Sequence, residues 1–228
     1  MRRAPFYSTK VLRQVIIMNM KKGLFIVIDG LGGSGKTTLV NALKAEFGTR
    51  VVATQEPGGA PRAEKIRDIL KSGEGLESDP LTDFFLFWAA RAEHVSKTIV
   101  PALKKGKIVI SDRFDSSTYA MQVVGEKRKD FEKLFWQCRA QALKNAEPDL
   151  YILLDAPFSV IASRRKGRGG VRDRFDERSA AYQQLVTRGY KEFAKHIGKK
   201  AVRLNVSGNV PKAVERTLKI LAPILRKK

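Results

Sequence analysis

The sequence predicts a doubly wound α/β fold, and three observations carry that reading. Short apolar, β-branched runs recur along the chain, stretches of helical patterning separate them, and a glycine-rich loop joins the first run to the first helix. Runs this apolar, without strict alternation, suit strands buried on both faces of a parallel sheet. Strand–helix alternation then requires right-handed crossovers, which place helices on both faces. The strands are expected at Leu24–Asp29 (LFIVID), Val51–Thr54, Lys107–Ser111 (KIVIS), Leu150–Asp155 (LYILLD) and Ala201–Val206. The helices are expected at Lys36–Phe47, Ala63–Lys71, Leu81–Lys104, Asp130–Asn145, Asp176–His196 and Pro211–Arg226. With no internal repeat and no long linker, residues 23–228 read as one domain behind an N-terminal extension, 1–22.

Composition narrows the class. A chain of 228 residues with 43% hydrophobic and 29% charged residues fits a globular protein and excludes a wholly disordered one. The single Cys138 excludes an intramolecular disulfide and a multi-Cys zinc site, and two histidines, His94 and His196, argue against a His-rich metal centre. No apolar run approaches the roughly 20 residues that span a bilayer, so no membrane partner is expected. The net charge of +21 points to an anionic partner. Much of it lies at the ends: residues 1–22 hold six basic residues and no acid, and Lys195 to Lys228 hold ten against Glu215 alone. The first segment is basic and acid-free like an organellar transit peptide; the plainer alternatives are a start at Met18 or Met20, or a disordered arm. A cytoplasmic location is the expectation. Aromatic residues fall inside apolar helix patterns rather than along basic stripes, so no specific nucleic-acid partner is expected.

In doubly wound sheets ligands bind beyond the carboxyl ends of the strands. The first such end reads Gly30-Leu31-Gly32-Gly33-Ser34-Gly35-Lys36-Thr37, a G-x-x-x-x-G-K-T loop running into Thr38 and the first helix. Its glycines let successive backbone N–H groups converge on phosphate oxygens at the positive end of a helix dipole. Lys36 can reach the β- and γ-phosphates, and Thr37 can offer a hydroxyl to Mg²⁺. The loop marks a nucleoside triphosphate site. No Asn-Lys-x-Asp tetrapeptide for guanine occurs, which leans away from a GTPase and toward a small kinase.

Three further clusters point to a second, phosphorylated substrate. Thr54-Gln55-Glu56-Pro57-Gly58-Gly59 closes the second strand. In FFLFWAAR, Phe87 and Arg91 are spaced i, i+4 and share a helix face, where a ring and a guanidinium can stack on a base and bond its edge. Packing in the core is the competing reading for Phe84, Phe85, Phe87 and Trp88. Asp112-Arg113 ends the third strand; Arg113 can clamp a phosphate bidentately while Asp112 orients Mg²⁺-bound water or the attacking group.

Together these segments resemble the thymidylate kinases, a branch of the P-loop nucleoside monophosphate kinases, from Gly23 to about Leu221. The resemblance rests on FIVIDGLGGSGKTT, TQEPGGAPRAEKIRDIL, LFWAARAEHV, PALKKGKIVISDRFDSSTYAMQ, EPDLYILLDAP and DRFDERSAAYQQLVTRGYKEFAK. It implies a five-stranded parallel sheet, transfer of the ATP γ-phosphoryl group to dTMP, a requirement for Mg²⁺ and a homodimer. It also implies that Phe87 stacks on thymine, Arg91 meets the thymine edge and Arg113 holds the dTMP phosphate. Ser117, Thr118 and Gln122 would lie near the nucleoside, beside Glu56 and Pro57. Residues 163–174 (SRRKGRGGVRDR) correspond to a mobile lid, and Gly33 stands where one branch of the family carries an arginine. The lid must then supply the catalytic cation, with Arg165 and Arg168 as candidates and Arg174 contacting lid acids or nucleotide.

The chain departs from the family pattern at several positions. Gly32 replaces an acid, a loss worth about 1–3 kcal/mol of acceptor binding without compensation; Asp29 is the residue expected to compensate. Gln55 stands for an arginine, Phe114 for a tyrosine, and Met121 for the tyrosine beside the ribose 2′ position.

Overall fold

The computed structural model describes residues 22–71, 78–144, 146–166 and 178–225. Residues 1–21, and with them the question of the N-terminal extension, lie outside the described residues, as do 167–177. Within the described residues five strands form one parallel sheet: β1 Leu24–Gly30, β2 Val51–Gln55, β3 Ile108–Asp112, β4 Leu150–Asp155 and β5 Ala201–Asn205. Their order is β2-β3-β1-β4-β5. Ile28 pairs with Asp112, and Gln55 pairs with Asp112 from the other side. The carboxyl ends of β2 and β3 therefore finish level, β1 runs two residues further, and the loops that follow them share one edge of the sheet.

The apolar runs make strands because both faces of the sheet are covered. Phe25, Val27, Val109, Tyr151 and Leu153 face one core; Leu24, Ile26, Ile28, Ile110, Ile152 and Leu154 face the other. That alternation is the period of two expected of a pleated strand. The second core is closed by α1 (Lys36–Phe47), through Leu39 and Leu43, and by α9 (Val210–Leu225), through Leu221 and Leu225. The first is closed by α3 (Pro80–His94), α6 (Phe131–Leu143) and α8 (Ala180–Ile197), which contribute Phe84, Trp88, Phe135 and Phe193. Fully burying each such side chain contributes about 1.5–3 kcal/mol. Before α3, α2 covers Pro61–Lys71. Asp79 caps α3 by accepting from Leu81 N and Thr82 N, and Pro80 sits where no backbone donor is needed. No described helix is long and apolar enough to cross a membrane.

The helix expected at Leu81–Lys104 divides. Its middle, Val95–Ile99, widens into a π turn before α4 (Val100–Lys104). Two helices were not expected. α5 (Asp115–Thr118) continues into a second π segment, Tyr119–Gly125, and α7 covers Phe158–Lys166. The beginning of the expected lid, 163–166, is thus the last turn of α7, and 167–174 lie outside the described residues.

Candidate active site

The glycine-rich loop leaves β1 and enters α1 with positive φ at Gly30, Gly33 and Gly35. Gly33 is required twice over: its φ is +82°, and a Cβ there would fall 2.9 Å from Cγ of Arg165. Lys36 Nζ donates to the carbonyls of Gly30 (3.1 Å) and Leu31 (3.0 Å), lying back over its own loop. Thr37 Oγ1 donates to Asp112 Oδ2 at 2.5 Å, which joins the first helical turn to the end of β3. The loop from Gly33 to Thr38 forms one wall of a cleft of about 450 Å³. Arg164, Val206, Gly208, Asn209 and Val210 are among the residues that line the rest of it. Arg164 Nη2 donates to Val206 O (2.7 Å) and Gly208 O (3.1 Å), tying α7 to the loop after β5. The sequence reading gave no site role to Val206, Gly208, Asn209 or Val210, although Val206 follows a strand end like the others; Arg164 falls in its lid segment, 163–174. Arg165 donates from Nε to Gly32 O at 2.8 Å and so lies across the loop; Arg168 and Arg174 fall outside the described residues.

Beyond the loop sits a buried polar cluster. Asp29 is fully buried, and its carboxylate accepts from Gly30 N (2.8 Å), Ser116 Oγ (2.6 Å), Ser117 Oγ (2.8 Å) and Tyr190 OH (2.8 Å). That corrects the expectation of a direct nucleotide contact: Asp29 has no exposed surface and its oxygens are already bonded, so it anchors the groups around it. Burial, and then the Asp29 carboxylate, push the Tyr190 hydroxyl well above its ordinary range and keep it a donor. Arg113 has φ +71°, unusual for a side chain of its size and common at functional sites. Its Nη1 donates to Gly30 O and Ser117 Oγ, both at 3.1 Å.

The third corner forms around Glu56, which is buried. Arg91 Nε donates to Glu56 Oε2 at 2.9 Å, and His94 Nδ1 lies 2.9 Å from Oε1. On the far side of the imidazole, Nε2 meets Thr54 Oγ1 at 2.7 Å. Gly59 makes room for that ring: a Cβ there would lie 2.4 Å from His94 Nε2. The π turn after α3 brings Thr98 to the same place, donating to Gly59 O at 2.6 Å. Arg67 donates to Pro57 O. The Arg91 guanidinium stands 4.5 Å over the Trp88 ring and 5.2 Å from Phe114, and Nη2 donates to Thr118 Oγ1 at 3.1 Å. Phe114 is itself core, edge-on to Phe25 at 5.0 Å, so this position needs no polar tip. Phe84 and Trp88 are core, Phe85 is exposed, and Phe87 and Met121 are half-buried.

Among the described residues, three buried side-chain atoms here have no hydrogen-bond partner: Trp88 Nε1, Arg91 Nη1 and Gln122 Oε1. Buried donors and acceptors are rarely left unbonded, since each costs about 1–3 kcal/mol. Arg91 Nη1 is a charged donor, and Gln122 Oε1 belongs to an amide that can accept. A planar ring with a carbonyl beside an N–H satisfies both kinds.

With that geometry in place, comparison with known proteins is specific. The family model for thymidylate kinase matches residues 28–217. A thymidylate kinase of Gluconobacter oxydans is 37% identical over 201 residues, covering 86% of this chain and 92% of the relative. That of Chlamydia caviae is 41% identical over 175 residues, covering 75% and 84%. The crystal structure of the Ehrlichia chaffeensis thymidylate kinase matches with a TM-score of 0.68 at 28% identity, covering 87% of this chain and 98% of that one. Matches of that breadth leave one conclusion: this chain belongs to the thymidylate kinase family.

Proposed function

We propose that the chain transfers the γ-phosphoryl group of ATP to dTMP, giving dTDP and ADP, with thymine held between Arg91 and Gln122. The orphaned pair carries this reading: Arg91 Nη1 would donate to a thymine carbonyl, and Gln122 Oε1 would accept from N3–H. Phe87 would cover the ring, Met121 would border the sugar, and Ser117 and Thr118 would hold Arg113 and Arg91 in place. Arg113 would take the dTMP phosphate, next to the loop whose N–H groups and Lys36 receive the ATP phosphates. Arg165, with Arg168 beyond it, would offset the charge spread over the transferring group. Catalysis of this kind is positioning plus charge neutralisation and needs no strong base. Thr37 and Asp112 present the hard oxygen donors that Mg²⁺ prefers, Asp112 through water, and the ion would neutralise charge on the β- and γ-phosphates.

The same reading places the enzyme in the cytoplasm as a homodimer. Ile69 on α2 (60% exposed) and Phe85 on α3 (49%) support a covered face, and sedimentation as a monomer would overturn that part. A coupled assay of ADP release with dTMP, dUMP, UMP and CMP tests the acceptor. Turnover with dTMP no higher than with UMP or CMP would remove the acceptor assignment and leave a nucleotide kinase of another specificity.

A further inference from the structure

Arg165 has a buried anchor to which the sequence reading gave no role. Its Nε is fixed by Gly32 O at 2.8 Å, and its Nη2 donates to Oε1 of Gln183 on α8 at 3.2 Å. Gln183 is only 3% exposed. The helix that carries it is seated against the acceptor side of the site. A Cβ on Gly189 would come within 2.6 Å of Ala120 Cα, so α8 and the Tyr119–Gly125 segment touch backbone to backbone. Tyr182 donates to Met121 O at 3.4 Å, and Tyr190 to Asp29 at 2.8 Å. Gln183 is therefore stationary with respect to both the phosphate loop and the acceptor segment.

We propose that Gln183 is a positioning residue for phosphoryl transfer, holding the Arg165 guanidinium across the phosphate loop before nucleotides bind. The proposal rests on reading Arg165 as the cation that meets the transferring phosphoryl group. A free arginine side chain samples many rotamers, and ordering it during the reaction raises the barrier. Held at Nε from the loop and at Nη2 from α8, the planar group is oriented in advance, and preorganised charge is what stabilises a phosphoryl transition state.

The test measures steady-state kinetics with ATP and dTMP for Gln183→Met, which conserves volume, and for Gln183→Glu, which keeps an acceptor. Gln183→Met is expected to lower kcat about tenfold, with both KM values within about twofold of wild type and the melting temperature preserved. Gln183→Glu is expected to recover most of that loss. In an Arg165→Ala background, Gln183→Met is expected to have no further effect. An impaired Arg165→Ala beside a fully active Gln183→Met would overturn the proposal, as would equal losses from Gln183→Met in both backgrounds. Full activity of Arg165→Ala would instead remove the underlying role of Arg165. If Gln183→Met melts early, Gln183→Leu takes its place under the same criteria.

Discussion

Gln122→Leu separates function from stability because its two effects are expected to have opposite signs. Gln122 is 4% exposed and its Oε1 bonds to no group among the described residues. Replacing it with leucine breaks no protein hydrogen bond at that atom and removes a desolvated acceptor worth about 1–3 kcal/mol. The variant is expected to melt no lower than wild type, and up to a few degrees higher, at roughly 2–4 °C per kcal/mol for a domain of this size. With dTMP bound, the same substitution leaves the N3–H of thymine buried without an acceptor. That costs about 1–3 kcal/mol, or roughly 5- to 150-fold in kcat/KM for dTMP. The KM for ATP should not move, since the donor cleft lies on the far side of the loop. Differential scanning calorimetry and a coupled assay with dTMP varied read both quantities. A lower melting temperature together with unchanged kcat/KM would refute the reasoning, because Gln122 would then serve the fold and not the ligand.

Lys36→Ala should lower kcat by at least about a hundredfold with an unaltered circular dichroism spectrum, since the bonds from its ammonium to Gly30 O and Leu31 O stay within its own loop; near-normal turnover would contradict the loop's role. Arg113→Ala should raise the KM for dTMP about tenfold or more, from a lost charge-assisted bond of about 1.5–3 kcal/mol, with a much smaller effect on ATP. Equal effects on the two substrates would count against its placement. Asp115 is fully buried, and that burial raises its carboxyl above 3.8 despite Arg139 at 2.8 Å. A carboxyl raised in the folded state contributes stability that is complete below 3.8 and lost as pH rises through the folded value. Denaturation by urea should therefore show wild type gaining on Asp115→Asn as pH falls, and a difference that grows with rising pH would reverse the argument.

The sheet was readable because a strand buried on both faces must be apolar throughout, and all five runs became strands within a residue or two of their expected ends. Helices with one apolar stripe, such as α1 and α9, were equally readable. Asp115–Gly125 was not: it is buried nearly all round, with Asp115, Ser116, Thr118 and Gln122 inside, so no amphipathic stripe marks it. α7 escaped for the opposite reason, since only Ile161 of its nine residues is buried and its last three are basic. Local motifs pointed to Lys36, Glu56, Arg91 and Arg113 through the residue types beside them in sequence. They could not locate His94 behind Glu56 or Gln183 beside Arg165, because those contacts depend on where whole helices pack. Asp29 shows the reverse error: a carboxylate at a strand end invites a ligand role, yet five donors, from Gly30, Phe114, Ser116, Ser117 and Tyr190, had already claimed it.

The Asp29 cluster also bears on inhibitor chemistry. One carboxylate fastens the start of the phosphate loop, the Ser116–Ser117 turn and Tyr190 of α8, so the floors beneath the donor and acceptor move as one piece. The span between the two phosphate positions is then a constant of the framework and not an adjustable gap. A bisubstrate compound joining adenosine to thymidine through a phosphate chain should show one narrow optimum of linker length, with affinity falling steeply when a single phosphate is added or removed.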